Sequence, residues 1–297
     1  MAARLPIAVV VLNWNGKALS EACLASWKKA APAPARVLLV DNGSSDASVA
    51  TLKRKFPKVE FLALPENCGF AAGNNRGFEY LWRRGPKVQA VFICNNDTEV
   101  EPDMLGRLWQ ALQARPDWGA VGPRILFHGS RRIWFEGGAF RFWTGRPRHL
   151  AYEEPDGEAG GPIALEAPGF ITGCGMLIRA QALRVLGGFD EGFWAYAEDS
   201  DLCLRLARQG LGLGVVPQAR MSHKVSSTFS VGSPLSMYYI TRNSLVLLRR
   251  HRLGAGWVTL AGFVLMSVAR ALRALFHGRP AVAWAIVRGL RDSRGMA

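Results

Sequence analysis

Between Leu5 and Leu112 short apolar runs alternate with helical periods four times, and this rhythm restricts the fold more than any other feature of the chain. The runs Leu5–Leu12, Val37–Val40, Val59–Leu64 and Val88–Cys94 read as strands. Between and after them, Leu19, Cys23 and Trp27, then Val49, Leu52 and Phe56, then Phe70, Phe78, Leu81 and Trp82 mark helix faces. A fourth face, Met104, Leu105, Leu108 and Leu112, opens with Pro102 near its first turn. Strands separated by helices cannot close as hairpins, so the expectation is a parallel sheet with right-handed crossovers. This is an α/β chain whose residues 1–125 form a doubly wound, Rossmann-like nucleotide-binding half.

The strands end on polar residues, and the ends matter because open parallel sheets bind ligands at their carboxyl edge. Val91–Asp97 runs from buried-strand residues straight into Asn95, Asn96 and Asp97, which makes Asp97 a metal-ligand or phosphate-site candidate. The alternative is an Asn/Asp-rich turn leading to Pro102. Asp41-Asn42-Gly43-Ser44-Ser45-Asp46 is a dense turn and N-cap signal, and Asn13 falls on the same edge.

From Ala120 the rhythm breaks. Phe127–Glu166 reads as a mixed β segment with a mobile loop at Asp156–Pro162, the usual place for substrate contacts. Gly169–Arg179 reads as one strand, followed by a short helix from Ala180 and by Gly187-Gly188-Phe189-Asp190-Glu191. The aromatic stretch Phe193-Trp194-Ala195-Tyr196 leads to Glu198-Asp199-Ser200-Asp201, which opens a helix. Leu213–Val216 is expected as a last short strand, ahead of Pro217 and His223. Residues 126–235 are thus expected to be the acceptor and catalytic half.

Five cysteines, an odd number with no Cys-x-x-Cys spacing, argue for reduced thiols in a cytoplasmic setting and against a zinc or disulfide framework. The run after Arg4 is too short and wrongly ended for a signal peptide. The formal charge of +14 is concentrated: from Arg249 onward nine arginines face one acid, Asp292, a net +8. A basic, apolar tail on a mildly basic body points to an anionic membrane surface and away from nucleic acid. Ser236–Arg250 reads as helix, and Gly254–Ala269 is a sixteen-residue stretch without formal charge. That is short of the roughly twenty residues a membrane span needs, so residues 236–297 are expected to lie in the interface as an amphipathic helical tail. The other reading has the tail packing on the body or on a second subunit as a homodimer.

The ordered set Asp41, Asn67-x-Gly69, Asn95-Asn96-Asp97, Gly187-Gly188-Phe189-Asp190-Glu191 and Glu198-Asp199-x-Asp201 resembles glycosyltransferase family 2, most of all its rhamnosyltransferase-like branch, over about Ile7 to Asn243. The resemblance implies a GT-A fold, a Rossmann-like sheet with a smaller mixed β acceptor part. It also implies a nucleoside-diphosphate sugar donor (UDP or dTDP, with rhamnose as the sugar) and Mg²⁺ or Mn²⁺. Transfer would go with inversion to a lipid-linked or polysaccharide acceptor, in cell-surface glycan synthesis at the inner face of a bacterial membrane.

Carried over to matching positions, Asp97 is a metal ligand, and His223 completes the metal or diphosphate site unless it is a structural hydrogen-bonding residue. The family usually writes Asp-x-Asp, and Asn95 in the first place leaves fewer protein charges on the metal. Asp199, after Glu198, is the base for the acceptor hydroxyl, and its helix N-terminal position is expected to lower its pKa. Otherwise Glu198, Asp199 and Asp201 only cap the helix; Asp201 is expected to order Arg205 or a neighbouring loop. Asp41 would accept from the pyrimidine base, or serve its own turn. Asn67, Gly69, Asn75, Asn96 and Asn13 would meet the nucleotide sugar, and the backbone at Gly173-Cys174-Gly175 would pass close to the donor sugar or serve a tight strand entry. Arg242, Lys224, Ser226 and Ser227 are candidates for the diphosphate. Trp194 and Tyr196 would stack on an acceptor sugar or pack in the core.

Two rival classes remain. A nucleotidyltransferase would need a glycine-rich basic phosphate loop, for which Asn13-Trp14-Asn15-Gly16-Lys17 is a poor substitute. A non-catalytic membrane-surface protein on a degenerate version of the fold would bind without turnover.

Overall fold

The computed structural model describes residues 4–46, 48–85, 87–158, 160–167, 169–225 and 232–296. Ser226 and Ser227 lie outside them. The first half follows the alternation: β1 (Leu5–Asn13), α1 (Lys17–Lys28), β2 (Pro34–Asp41), α2 (Ser48–Lys55), β3 (Glu60–Ala63), α3 (Gly69–Arg83) and β4 (Ala90–Asn95). β1 pairs in parallel with β2 and β4, and β2 with β3, giving the order β4-β1-β2-β3. Because β1 and β4 are covered on both faces, they are continuous apolar runs buried from Ile7 to Val11 and from Ala90 to Cys94. After β5 (Thr98–Val100), α4 spans Met104–Ala114 with Asp103 as its N-cap, so Pro102 lies just ahead of the helix.

The second half extends this sheet and adds a small one. β6 (Trp118–Phe127) is followed by β7 (Ile133–Phe135), β8 (Gly138–Phe140), β9 (Pro147–His149), β10 (Ile163–Ala164), β11 (Gly169–Phe170), β12 (Gly175–Arg179), α5 (Ala180–Leu186), α6 (Glu198–Arg208) and β13 (Gly212–His223). The main sheet runs β10-β13-β6-β12-β4-β1-β2-β3, and β11-β8-β9 form a three-stranded sheet over its carboxyl edge. β12 is antiparallel to both β4 and β6, which makes the main sheet a mixed one.

Two expected strands come out differently. Gly169–Arg179 is broken after Phe170: its first part joins the small sheet, its last part the large one, and of the residues between them Thr172, Gly173 and Cys174 line the cavity while Ile171 packs in the core. Leu213–Val216 is only the start of a twelve-residue strand. Pro217 does not end β13, because the register against β6 slips between Val216 and Arg220; the bulge accommodates a residue with no N–H to donate. His223 therefore stands at the end of a paired strand, opposite Phe127.

The C-terminal region is helical: α7 (Pro234–His251), α8 (Trp257–Phe276) and α9 (Pro280–Asp292). α7 is fastened to the body, where Leu245, Val246, Leu247 and Leu248 share a buried cluster with Phe193 and Leu204. Asp201 of α6 is fully buried between Arg205 (2.7 Å) and His251 (2.8 Å). These partners outweigh the cost of burial and hold its carboxyl below the usual range. α8 is longer than its uncharged stretch; by length and composition alone its twenty residues suffice to cross a membrane. All five cysteines are free.

Candidate active site

A cavity of about 610 Å³ opens at the carboxyl edge of β1, β2 and β4, roofed by the β8–β9 hairpin and α7. Asn67, Gly69, Asn96, Asp97, Gly173, Trp194, Tyr196, Glu198, Asp199 and His223 all line it. Five expected residues do not: Asn13, Asp41, Asn75, Lys224 and Arg242.

The reason is that their polar groups are used elsewhere. Asn13 is wholly buried beneath the cavity floor; its amide donates to Asp41 Oδ1 (2.7 Å) and Ser48 Oγ (3.2 Å), and its Oδ1 accepts from Ser20 (2.7 Å) and Asn96 (3.0 Å). Asp41 accepts from Asn13 and Ser44 through one oxygen and from the Ser44 N–H through the other, which is the turn-serving alternative. The Asn75 amide holds the Gly-Gly-Phe-Asp-Glu loop, with its Nδ2 donating to Phe189 O (2.9 Å) and its Oδ1 accepting from Phe189 N (2.9 Å). Arg242 donates to Gly192 O and Asn243 Oδ1. Lys224 pairs with Glu99 at 2.9 Å.

On the wall formed by the start of α3, Asn67 Oδ1 accepts from Gly69 N (2.9 Å) and from Asn42 Nδ2 (3.0 Å). Asn42 also takes the Cys68 N–H and donates to Gly69 O, so one buried amide shapes the whole loop at the start of α3. Gly69 has φ +88°, and a Cβ there would lie 2.6 Å from the Trp194 ring, so only glycine lets this loop meet the aromatic stretch.

At the far end of β4 and β13, the buried side chains of Asp97 and His223 meet at 3.1 Å between Oδ1 and Nε2. Trp134 packs edge-on to the His223 ring at 4.5 Å, and His223 Nδ1 is buried with no hydrogen-bond partner among the described residues. No cluster of three or more acid, histidine or cysteine side chains able to hold a metal occurs among the described residues. One carboxylate and one imidazole facing a cavity fit a divalent ion that takes most of its oxygen ligands from a bound diphosphate.

Glu198 and Asp199 open α6 on the opposite wall. Asp199 Oδ2 accepts from Gly173 N (3.0 Å) and its Oδ1 from Ser200 N (2.6 Å), which fixes the carboxylate across the broken strand. The helix N-terminus was expected to lower its pKa; instead burial raises it above the ordinary value, with the Gly173 and Ser200 N–H groups only partly offsetting that. Burial, with Asp199 close by, pushes Glu198 well above the carboxylate range, and its Oε2 has no hydrogen-bond partner among the described residues. Ala197, the N-cap, supplies no side-chain hydrogen bond; the Asp199 carboxylate, by accepting from Ser200 N, serves the first turn of the helix as well as the cavity wall.

The segment before α6 is held under strain. Trp194, Tyr196 and Ala197 all have positive φ, a conformation costing non-glycine residues on the order of 1–3 kcal/mol each. Asn243 on α7 offsets this by donating to Phe193 O, Ala195 O and Tyr196 O at 2.7–2.9 Å. Trp194 stacks on Tyr239 at 4.9 Å, and its carbonyl accepts from Phe70 N at the start of α3. Trp194 is therefore a packed residue that also lines the cavity, and Tyr196, half-buried, lines it too.

Sequence reasoning passed over three contributors, Asn42, Asn243 and His149. His149 Nδ1 donates to Trp134 O (2.9 Å), which leaves Nε2 as the acceptor in the cavity lining. Burial lowers its pKa and keeps it neutral. The only signal for His149 was its place in the irregular segment.

Comparison with known proteins follows the same lines. A profile described as "Glycosyl transferase family 2" matches residues 8–187, and one described as "N-terminal domain of galactosyltransferase" matches residues 162–227. The chain is 31% identical over 240 residues to an N-acetylglucosaminyl-diphospho-decaprenol L-rhamnosyltransferase of Mycobacterium tuberculosis, covering 74% of this chain and 76% of that protein. It is 20% identical over 226 residues to the dTDP-rhamnosyl transferase RfbF of Shigella flexneri, covering 72% of this chain and 71% of that one. In three dimensions it is similar to the mannosyltransferase PcManGT of Pyrobaculum calidifontis, solved with GDP-Man and Mn²⁺, at a TM-score of 0.58 and 16% identity over 98% of this chain and 88% of that chain. This likeness establishes the GT-A fold.

Proposed function

The chain belongs to glycosyltransferase family 2, in its rhamnosyltransferase-like branch, and from that premise we propose an inverting, metal-dependent transfer of rhamnose from a nucleoside-diphosphate donor to a hydroxyl of a lipid-linked acceptor. The observation that carries this reading is the convergence of the Asp97–His223 pair and the Asp199 carboxylate on one cavity. The names of the relatives favour dTDP as the nucleotide and a polyprenyl-diphosphate sugar as the acceptor.

Asp97 and His223 would hold Mg²⁺ or Mn²⁺, which as a Lewis acid stabilises the charge that grows on a departing diphosphate. Asp199 removes the proton from the acceptor hydroxyl as it attacks, on the face away from the leaving group. Burial makes Asp199 a stronger base than an exposed aspartate, and the Gly173 N–H keeps its carboxylate aimed. Glu198, beside it, is held neutral by burial and avoids placing two adjacent negative charges in the cavity. Asn67, Gly69 and Asn96 form the donor wall, and Trp194 and Tyr196 offer faces to the acceptor sugar. Asn13, Asp41 and Asn75 act beneath these walls by fixing the strand ends and loops.

On this reading residues 1–235 form the transferase, α7 completes it as part of the cavity roof, and the remainder of residues 236–297 holds it on the anionic inner face of the membrane through the basic tail. The test is a panel of dTDP and UDP sugars with Mg²⁺ or Mn²⁺ and a sugar-diphospho-lipid acceptor, with the product's anomeric configuration read by NMR. One donor used with inversion is expected. Retention of configuration, or no turnover with any donor, would overturn the proposal.

A further inference from the structure

α8 turns a long apolar face outward. Trp257, Leu265, Val268, Leu272, Leu275 and Phe276 are all exposed, Trp257 at 79% and Phe276 at 90%. At 3.6 residues per turn they fall within a stripe about 100° wide. The tip of the β8–β9 hairpin adds Phe142 and Trp143, 57% and 66% exposed and packed edge to face at 5.0 Å.

Hairpin and helix are joined. Thr259 Oγ1 donates to Phe142 O (2.8 Å) and accepts from Ala255 N (2.7 Å). Gly262 lets the backbone of Trp143 approach so closely that a Cβ there would lie 2.6 Å from Trp143 O. Arg146 reaches Met266 Sδ at 3.7 Å. The same hairpin borders the cavity, for Gly145, Pro147 and His149 line it.

The charge around this surface has one sign. Arg141, Arg146 and Arg148 on the hairpin and Arg270 and Arg273 on α8 have no salt-bridge partner among the described residues. Burial, with Arg270 and Arg141 close by, holds the Arg146 guanidinium below its ordinary pKa. A second copy of this chain would bring arginines against arginines, whereas lipid phosphates would neutralise them.

We propose that the hairpin tip and α8 form a single docking face for an anionic bilayer, and that this face sets the mouth of the cavity against the lipid in which the acceptor is anchored. The inference rests on the membrane reading above and goes past it, because it makes the acceptor half as well as the tail a part of the contact.

The test uses the full chain with vesicles of phosphatidylcholine alone and of phosphatidylcholine with phosphatidylglycerol, measured by sedimentation. Wild type is expected to bind the anionic vesicles, and Phe142→Ala/Trp143→Ala to bind them roughly tenfold more weakly, as loss of two interfacial aromatics implies. The same variant should lose turnover on a long-chain lipid-linked acceptor in vesicles while keeping it on a short-chain soluble one, which also shows that it folds. Leu265→Ser/Leu272→Ser should weaken binding in parallel. If the hairpin variant binds like wild type and only the α8 variant is impaired, the joint face is refuted while tail attachment stands. If wild type ignores both vesicles, the membrane reading itself fails; a dimer in solution that the α8 variant converts to monomer would assign the face to a second copy and overturn the inference.

Discussion

Two sets of buried polar side chains flank the cavity, and they differ in how fully they are satisfied. Beneath the floor, Asn13, Ser20, Asp41, Ser44 and Ser48 bond one another at the ends of β1 and β2, and Asn96 of the cavity wall is tied to Asn13 from above. Across the cavity, Glu198 Oε2 and His223 Nδ1 are buried without a hydrogen-bond partner among the described residues. Buried polar groups are nearly always paired, so the first set accounts for itself as scaffold and the second points outward to something that binds. Similar residue types thus differ in use: one set fixes strand ends, and the other lines the cavity with polar atoms left unpaired among the described residues.

The sharpest break in this comparison should come at Asp199. Asp199→Asn keeps the shape but removes the base, and kcat is expected to fall on the order of 10³-fold with the fold intact. Asn13→Ala should do the reverse. It strands Asp41, Ser20 and Asn96 in a buried place, costing about 2 kcal/mol in denaturant unfolding, while kcat of the folded fraction stays within a fewfold. A stable Asn13→Ala protein with kcat down a thousandfold would move Asn13 into the reacting set and blur the division.

The smallest effect is a change of slope. Because the folded pKa of Glu198 is raised, the unfolded chain ionises first, so the stability this residue contributes is complete below the unfolded value and lost as pH rises through the folded one. Glu198→Gln removes that loss. Its melting temperature should match wild type near pH 4 and exceed it at neutral pH; equal pH dependence of the two proteins would show that Glu198 is not held neutral in the fold.

How much of this was legible beforehand follows the same division. The four strand–helix units could be read because each buried strand is an apolar run stopped by turn residues; Asp97 could be read because it follows directly on such a stop, and Glu198 and Asp199 because acids cluster there after an aromatic stretch. β13 could not be read to its end, since the bulge that carries it past Pro217 depends on its partner β6. Nor could the break after Phe170, which exists because Gly173 N reaches Asp199, 26 residues on in the chain. Amide directions were hidden for the same reason: nothing local tells that Asn75 holds Phe189 or that Asn243 braces the strained turn at Trp194. The pKa of Asp199 was read with the wrong sign because the helix end is local information and burial is not.

The central claim is that Asp199 acts on the acceptor and the Asp97–His223 pair on the donor, and it is tested most directly by measuring donor affinity and nucleoside diphosphate release together in wild type and Asp199→Asn, with Mn²⁺ and acceptor present. The account predicts that the variant binds the donor as tightly as wild type and releases almost no nucleotide. An Asp199→Asn protein that turns over at the wild-type rate, or one that has lost donor binding instead, would contradict it.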